Sequence, residues 1–230
     1  MAGLTPEEWT AIALSLRVSL VATLASLPFG VLVAVLLARG KFPGRTLLDV
    51  AVHMPLVLPP VVTGYALLLL FGRRGPLGGF LEHAFGIVLA FRWTGAALAA
   101  AVMGFPLMVR AMRLAVEAID ARLEGAAGTL GANRAWTFVL VTLPLMLPGI
   151  LAGATLAFAK ALGEFGATIT FVSSIPEETR TVPSAIYALL QVPGGEARAI
   201  RLALVSVAIS AAALLASELL ARRSGRRAAA

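Results

Sequence analysis

Long apolar segments separated by short polar stretches dominate this chain. Five of them are long enough to cross a hydrocarbon core about 30 Å thick as α-helices, which rise about 1.5 Å per residue. The pattern therefore predicts an all-α integral membrane protein with five transmembrane helices. The five segments lie at about residues 11–38, 47–72, 93–112, 138–162 and 199–220.

The stretch between the fourth and fifth segments is too interrupted by glycine, proline and acidic residues to form another span. Residues 183–191 have a helical pattern, and Pro193-Gly194-Gly195 would end that helix. So short a helix cannot cross the membrane core. We therefore expect a short helix on the outer side of the membrane, in addition to the five spans.

The second apolar segment contains several helix breakers, namely Pro55, Pro59, Pro60 and Gly64. Breakers at membrane depth are tolerated where the backbone is buried in protein or lines a cavity. We expect this segment to line a pathway, and a packing kink between helices is the alternative. The residues that follow it, 72–86, are expected to form a loop.

The composition agrees with a membrane protein. The mean hydropathy is +0.91, with 59% of residues hydrophobic and 13% charged. A soluble domain of 230 residues would need far more polar surface. We expect one membrane domain over residues 1–230, with its core at about 11–220 and a basic tail at 221–230.

Several kinds of chemistry find no support in the sequence. The chain has no cysteine, which excludes disulfides and thiolate metal sites. His53 and His83 lie far apart without the spacing of metal ligands, so no metal site is predicted. The ATP-binding pattern G-x-x-x-x-G-K-[ST] is missing, and no catalytic triad or carboxylate pair is evident. We expect neither a cofactor nor an enzymatic site in this chain.

The net charge of +7 could indicate nucleic-acid binding. Its placement indicates a membrane instead, because the basic residues collect in short loops and at the C-terminus. With the first loop, residues 110–134 and the tail in the cytoplasm, that side holds eleven Lys and Arg, against six outside. The positive-inside rule then predicts an outer N-terminus and a cytoplasmic C-terminus.

A polar helical pattern at about residues 116–131 interrupts the apolar segments. Its apolar residues recur at steps of three and four, which places them on one helix face. Gly131 can adopt a positive φ and end the helix. The pattern predicts a docking helix at the membrane surface, and an interfacial helix without a partner is the alternative. The apolar residues are Val116, Ile119, Leu123, Ala126, Ala127 and Leu130.

The same region carries a family motif. Ala126-Ala127, three residues, Gly131, eleven residues and Leu143-Pro144 match the A-A-x(3)-G-x(11)-L-P part of the EAA loop. The chain thus resembles the membrane subunits of type I ABC importers, and the resemblance implies their permease fold. It also implies that this is the coupling helix, seated in a groove of a cytoplasmic ATPase. The implied coupling residues are Leu123, Glu124, Ala126, Ala127, Leu130, Gly131, Leu143 and Pro144.

One position departs from the EAA pattern. Gly125 stands where the family has its glutamate, and the acid of this chain is one residue earlier, at Glu124. The contact that this acid makes is therefore expected to differ.

Longer stretches resemble the molybdate permeases of ABC transporters, and the likeness extends over nearly the whole chain. The most specific are LGEFGATITFVS, PEETRTVPSAIY, HMPLVLPPVVTGY, FPLMVRAMRLAVEAID and QVPGGEARAIRLA. The resemblance implies a permease subunit of an ATP-driven importer for molybdate, and normally for tungstate, in the bacterial inner membrane. It implies a homodimer, two cytoplasmic subunits that bind ATP and magnesium, and an extracytoplasmic molybdate-binding protein.

A doubly charged oxyanion can cross a low-dielectric core only where hydrogen-bond donors or positive charge compensate. Lys160 is a nearby cation, and Glu164, one helical turn later, is expected to pair with it. Alternatively, Lys160 extends to the interface and the hydroxyl groups bond their own helices. The pathway and gate candidates are Pro59, Pro60, Thr63, Lys160, Gly163, Glu164, Phe165, Gly166 and Thr168, with Tyr65, Thr170, Ser173 and Ser174 as further donors.

Two other functions stay open at this point. A sulfate or thiosulfate permease handles the same tetrahedral dianion, although the PEETRTVPSAIY stretch favours molybdate. A membrane scaffold that transports nothing is the alternative from a different class. It would need neither a proline-rich span nor a coupling helix.

Overall fold

A computed structural model describes residues 4–228, and the side chains of residues 4–215. Within these residues the chain is helical and contains no strand, which confirms the predicted all-α class. A π-helical turn at Phe138–Thr142 joins two of the helices. The α-helices are α1 (Pro6–Arg39), α2 (Arg45–Val57), α3 (Pro60–Phe71), α4 (Pro76–Phe85), α5 (Trp93–Glu117), α6 (Ala121–Thr129), α7 (Arg134–Thr137), α8 (Leu143–Leu162), α9 (Gly166–Val172), α10 (Val182–Leu190) and α11 (Glu196–Ala228).

Four helical segments of the described chain are long and apolar enough to cross a membrane. They are α1, α5, the run Arg134–Leu162 and the part of α11 at Glu196–Leu215. The pair α2 and α3 makes a fifth if it counts as one broken span. The arginine side chains of the predicted tail at 221–230 lie outside the described residues.

The second apolar segment is broken by its prolines. The helix axis bends by 116° between α2 and α3, and Leu58 between them is extended. Proline lacks a backbone N–H, and it also disfavours the α conformation in the residue before it. Pro59-Pro60 in tandem therefore ends one helix and starts the next.

Two short helices lie where the sequence suggested irregular structure. The prediction of a loop over residues 72–86 is wrong, because these residues contain α4. This helix has Pro76 at its first position and Gly86 as a left-handed cap with φ 67°. This is the usual placing of proline and glycine at helix ends. The interrupted stretch after α8 contains α9. The short helix expected at 183–191 is confirmed as α10.

The centre of the molecule is formed by α1, α5 and α8. Small residues let α5 and α8 approach closely: a Cβ on Gly149 would lie 2.2 Å from the Cβ of Ala115, and one on Gly153 would lie 2.9 Å from the Met108 carbonyl. Close backbone packing of this kind holds helices together in lipid, where burial of apolar surface gives little driving force. The packing fixes the end of α5 and the start of α8, and α6 lies in the chain between them.

A cluster of charged residues joins α1 to α11 at the other end of the bundle. The Glu8 side chain is only 2% exposed and accepts hydrogen bonds from Arg201 Nη2 at 2.8 and 2.9 Å. Arg198 Nε donates to it at 3.3 Å. Because the carboxylate is bound to two guanidinium groups, its burial is compensated.

Candidate functional site

The docking helix is shorter than the sequence suggested. The single helix expected over 116–131 is divided, because α5 continues to Glu117 and α6 begins at Ala121. Asp120 caps the new helix, its Oδ1 accepting from the Arg122 amide at 2.9 Å. The buried Val116 belongs to α5 and Ile119 to the turn, so neither lies on the docking face.

No side chain of α6 is buried. Leu123 is 48% exposed and Leu130, just after the helix, is 88% exposed. Ala126 is exposed and Ala127 is half-buried. An apolar surface displayed on a projecting helix is typical of a protein contact. We call residues 120–144, which include this helix and the chain up to Leu143-Pro144, the docking segment.

Glycines leave the backbone of α6 uncovered. A Cβ at Gly125 or Gly128 would meet no atom within 4 Å. Glycine inside a helix costs about 1 kcal/mol relative to alanine. Packing within the described chain gives no compensation for this cost, so a surface of this kind suits the close approach of another backbone.

The helix ends as the sequence predicted. Gly131 has φ +89°, the left-handed conformation that favours glycine. Its amide donates to Gly128 O, and the next amide, of Ala132, donates to Ala127 O, both at 3.0 Å. These bonds satisfy carbonyl groups that the helix end leaves free.

Glu124 does not belong to the exposed face. Its Oε1 accepts from Thr142 Oγ1 at 2.9 Å, and its Oε2 lies 3.5 Å from Arg39 Nε. Arg39 Nη2 also donates to Ile119 O at 2.8 Å. The acid that departs from the EAA pattern therefore fastens α6 to the end of α1 and to the π-helical turn. Sequence reasoning missed Arg39 and Thr142, which no local pattern connects to this helix.

Leu143 and Pro144 follow the π-helical turn directly. The Leu143 amide bonds to the Phe138 carbonyl, a π-type bond five residues back, before the α-helical ladder of α8 begins. Leu143 packs on the core and Pro144 is exposed. Within the docking segment, the turn connects α7 to α8.

Two chain breaks from different spans meet within the bundle. They are residues 58–60, between α2 and α3, and residues 163–166, between α8 and α9, and we call them the paired breaks. A Cβ on Gly166 would lie 2.6 Å from Pro60 Cβ, and one on Gly64 would lie 2.4 Å from the Ala167 carbonyl. The sequence indicated each break, but the contact between them is a finding of the structure.

The predicted pair of Lys160 and Glu164 is confirmed. Lys160 Nζ lies 2.7 Å from Glu164 Oε2, and the glutamate is 2% exposed. The Ala167 amide donates to Glu164 Oε1 at 3.0 Å. Glu164 thus bonds the end of α8 and the start of α9 at once. The half-buried ring of Phe165 lies 5.2 Å from that of Tyr187.

The hydroxyl candidates differ in their surroundings. Thr63 and Thr168 are buried, and Thr63 Oγ1 has no hydrogen-bond partner in the described chain. Thr170 instead donates to Gly166 O of its own helix at 2.9 Å, and Ser174 accepts from Arg180 at 3.4 Å. A buried hydroxyl without a partner is costly unless a ligand or water satisfies it. Tyr65 is exposed. Ser173, with φ +64°, follows α9.

Comparison with known proteins gives a consistent result. Residues 26–226 match the family model described as binding-protein-dependent transport system inner membrane component. The chain is 61% identical over 225 residues to the molybdenum transport system permease protein ModB of Escherichia coli K12, covering 98% of each protein. It is 37% identical over 225 residues to the sulfate transport system permease protein CysT of Salmonella typhimurium, covering 96% of this chain and 79% of that one.

A bacterial ABC transporter that imports the polysaccharide alginate has a similar fold. Its structure matches with a TM-score of 0.75 at 18% identity, over 96% of this chain and 80% of that one. At so low an identity the match concerns the fold alone.

Proposed function

The chain belongs to the family of binding-protein-dependent transport system inner membrane components, and we propose that it is the membrane permease subunit of an ATP-driven molybdate importer. The observation that carries this proposal is the 61% identity to a molybdenum permease over 98% of both chains. The 37% identity to a sulfate permease gives weaker support to sulfate as the substrate. Tungstate, an oxyanion of the same shape and charge, is expected to share the pathway.

The paired breaks supply the features that an oxyanion pathway needs. Broken helices place unusual backbone within the bundle, where it is tolerated if it lines a cavity. Lys160 beside the breaks provides a positive charge, and the Thr63 hydroxyl is available to donate. Glu164 partly neutralises the positive charge of Lys160. The attraction between the lysine and the dianion is therefore weak enough for the anion to dissociate. Phe165 against Tyr187 is the proposed gate.

The docking segment is the proposed contact through which ATP hydrolysis on a partner subunit drives transport. Since the sequence lacks an ATP-binding loop, two partner subunits would bind ATP and magnesium and hydrolyse the nucleotide. Movement of α6 would reach α8 through the π-helical turn and the bond between Glu124 and Thr142. Two copies of this chain would form the pathway, and an extracytoplasmic binding protein would deliver the anion.

The proposed orientation has the N-terminus outside and the docking segment in the cytoplasm. Because the chain has no cysteine, single cysteines can report on it cleanly. A membrane-impermeant thiol reagent should label Ala84→Cys only from outside, and Ala135→Cys only in inverted vesicles; the opposite result would reverse the molecule.

Transport in proteoliposomes tests the function directly. The complex of this chain with its ATPase and binding protein should hydrolyse ATP faster with molybdate or tungstate than with an equal concentration of sulfate, and should accumulate the anion. Liposomes that lack only this chain are the control. Sulfate-selective stimulation would favour the sulfate permease, and no stimulation by any dianion would favour a scaffold.

A further inference from the structure

A cleft of about 700 Å³ lies beside the docking helix. Gly128 of α6 forms part of one wall, and the end of α1 and the first loop form another. Six of the eleven lining residues carry charged or hydroxyl side chains. They are Arg39, Lys41, Glu124, Arg134, Thr137 and Thr142. We call this the basic cleft.

The charges in the basic cleft do not balance. Three lining residues are basic and one, Glu124, is acidic. Glu124 is already engaged by Arg39 and Thr142. Lys41 and Arg134 are exposed, and neither forms an ion pair within the part of the chain that the structure describes. Two cations therefore face an open space next to the docking surface.

We propose that the basic cleft receives acidic side chains of the ATP-hydrolysing subunit, as a second contact beside the docking helix. This inference rests on the proposed function, which places that subunit against α6. Two observations carry it: the cleft is continuous with the docking surface, and its free charges are positive. Carboxylates that enter a partly enclosed cleft are desolvated, which strengthens their pairing with Lys41 and Arg134 relative to a fully exposed contact.

An anionic phospholipid is the other source of negative charge near a membrane surface. The protein partner is favoured because the docking helix itself forms one wall of the cleft.

The scarcity of lysine makes a direct test possible. The chain has two lysines, and Lys160 is bonded to Glu164 within the bundle. Lys41 is therefore the lysine available at this surface. A carbodiimide joins an amine directly to a carboxylate, with no spacer atoms between them. In the assembled complex, we expect mass spectrometry to find a peptide that joins Lys41 to an aspartate or glutamate of the ATPase. Lys41→Arg should remove this cross-link while the complex still assembles.

Charge reversal measures the contribution of the cleft. Lys41→Glu with Arg134→Glu should weaken binding of the ATPase about tenfold or more at low salt, and much less at high salt. Arg45→Glu is the control for Lys41→Glu alone, since Arg45 begins α2, four residues after Lys41, and does not line the cleft. Its effect should be small.

The outcomes separate this inference from the proposed function. If the wild-type chain binds the ATPase but Lys41 gives no cross-link and charge reversal has no effect, the cleft assignment is wrong and the function stands. If the wild-type chain binds no ATPase, the proposed function itself fails. Loss of bound anionic lipid in the reversed variant, with ATPase affinity unchanged, would show a lipid site and overturn the inference.

Discussion

The docking segment and the paired breaks both interrupt regular helices, yet they are completed in opposite ways. The helix of the docking segment has no buried residue, and its apolar side chains face outward. At the paired breaks the chain packs on itself, and the charged Glu164 is almost fully buried. The docking helix therefore leaves its apolar side chains uncovered by the described chain, whereas the paired breaks are packed and paired within it.

Glycine shows the contrast most clearly. In α6, a Cβ on Gly128 would meet nothing within 4 Å. In α3, a Cβ on Gly64 would lie 2.4 Å from a backbone oxygen of α9. The same residue type therefore leaves an open surface in one region and permits close packing in the other.

The largest effect is expected at Gly64. Gly64→Val would force α3 away from α9, and overpacking of this kind costs about 1–3 kcal/mol. We expect a lower melting temperature of the purified chain and loss of molybdate uptake. Gly128→Val, in the open helix face, is the control for stability. Equal melting temperatures of the two variants would contradict the claim that Gly64 is closely packed and Gly128 is not.

The next largest effect concerns the buried ion pair. Glu164→Gln leaves Lys160 without its counter-ion, so uptake should fall strongly while the complex assembles and keeps its basal ATP hydrolysis. The double variant Lys160→Met, Glu164→Gln should be milder, because no isolated charge remains. Uptake measured across the double-mutant cycle should give a coupling of about 0.5 kcal/mol or more. Simple additivity would show that the two residues act separately.

A smaller effect is expected where the docking helix ends. Gly131→Val places a β-branched residue at φ +89°, at a cost of about 1–3 kcal/mol. The strain should redirect the chain before the π-helical turn and reduce molybdate-stimulated ATP hydrolysis, with folding of the membrane helices retained. Gly131→Asn, which tolerates a left-handed conformation better, should be less affected. Equal activity of the two variants with the wild type would argue that the turn does not need this backbone.

The smallest effect is expected within the docking helix. Gly128→Ala should stabilise α6 of the isolated chain by up to about 1 kcal/mol, yet weaken its binding to the ATPase. Hydrogen exchange of the α6 amides measures the first change and a pull-down titration the second. Stronger binding together with a stronger helix would mean that the partner does not use the open glycine.

Much of this architecture could be predicted from local patterns. Apolar periodicity located the spans, Pro59-Pro60 indicated a break, and the spacing of Lys160 and Glu164 predicted their pair. Gly131 was recognised because a helix end demands a particular φ. In each case the cause lies within a few residues of the effect.

The remaining features depend on residues that are distant in the chain. Arg39 and Glu124 are 85 positions apart in the sequence. Only the packing of α1 against α5 and α8 brings them together. The contact of Pro60 with Gly166 is of the same kind. The division of the docking helix was missed because Val116 and Ile119 continue the helical period, although both are buried in the hydrophobic core, Val116 in α5 and Ile119 in the turn that follows it.

The measurement that tests the central claim most directly is molybdate-stimulated ATP hydrolysis by the complex that contains Ala126→Trp. Ala126 is exposed on α6, so a tryptophan there should leave the fold of the chain intact and prevent close seating on the ATPase. Ala84→Trp is the control, since Ala84 is also exposed and lies on α4. We expect stimulation to be lost in Ala126→Trp and kept in Ala84→Trp, with both chains inserted in the membrane. Full stimulation in Ala126→Trp would contradict the assignment of this helix as the contact through which ATP hydrolysis drives transport.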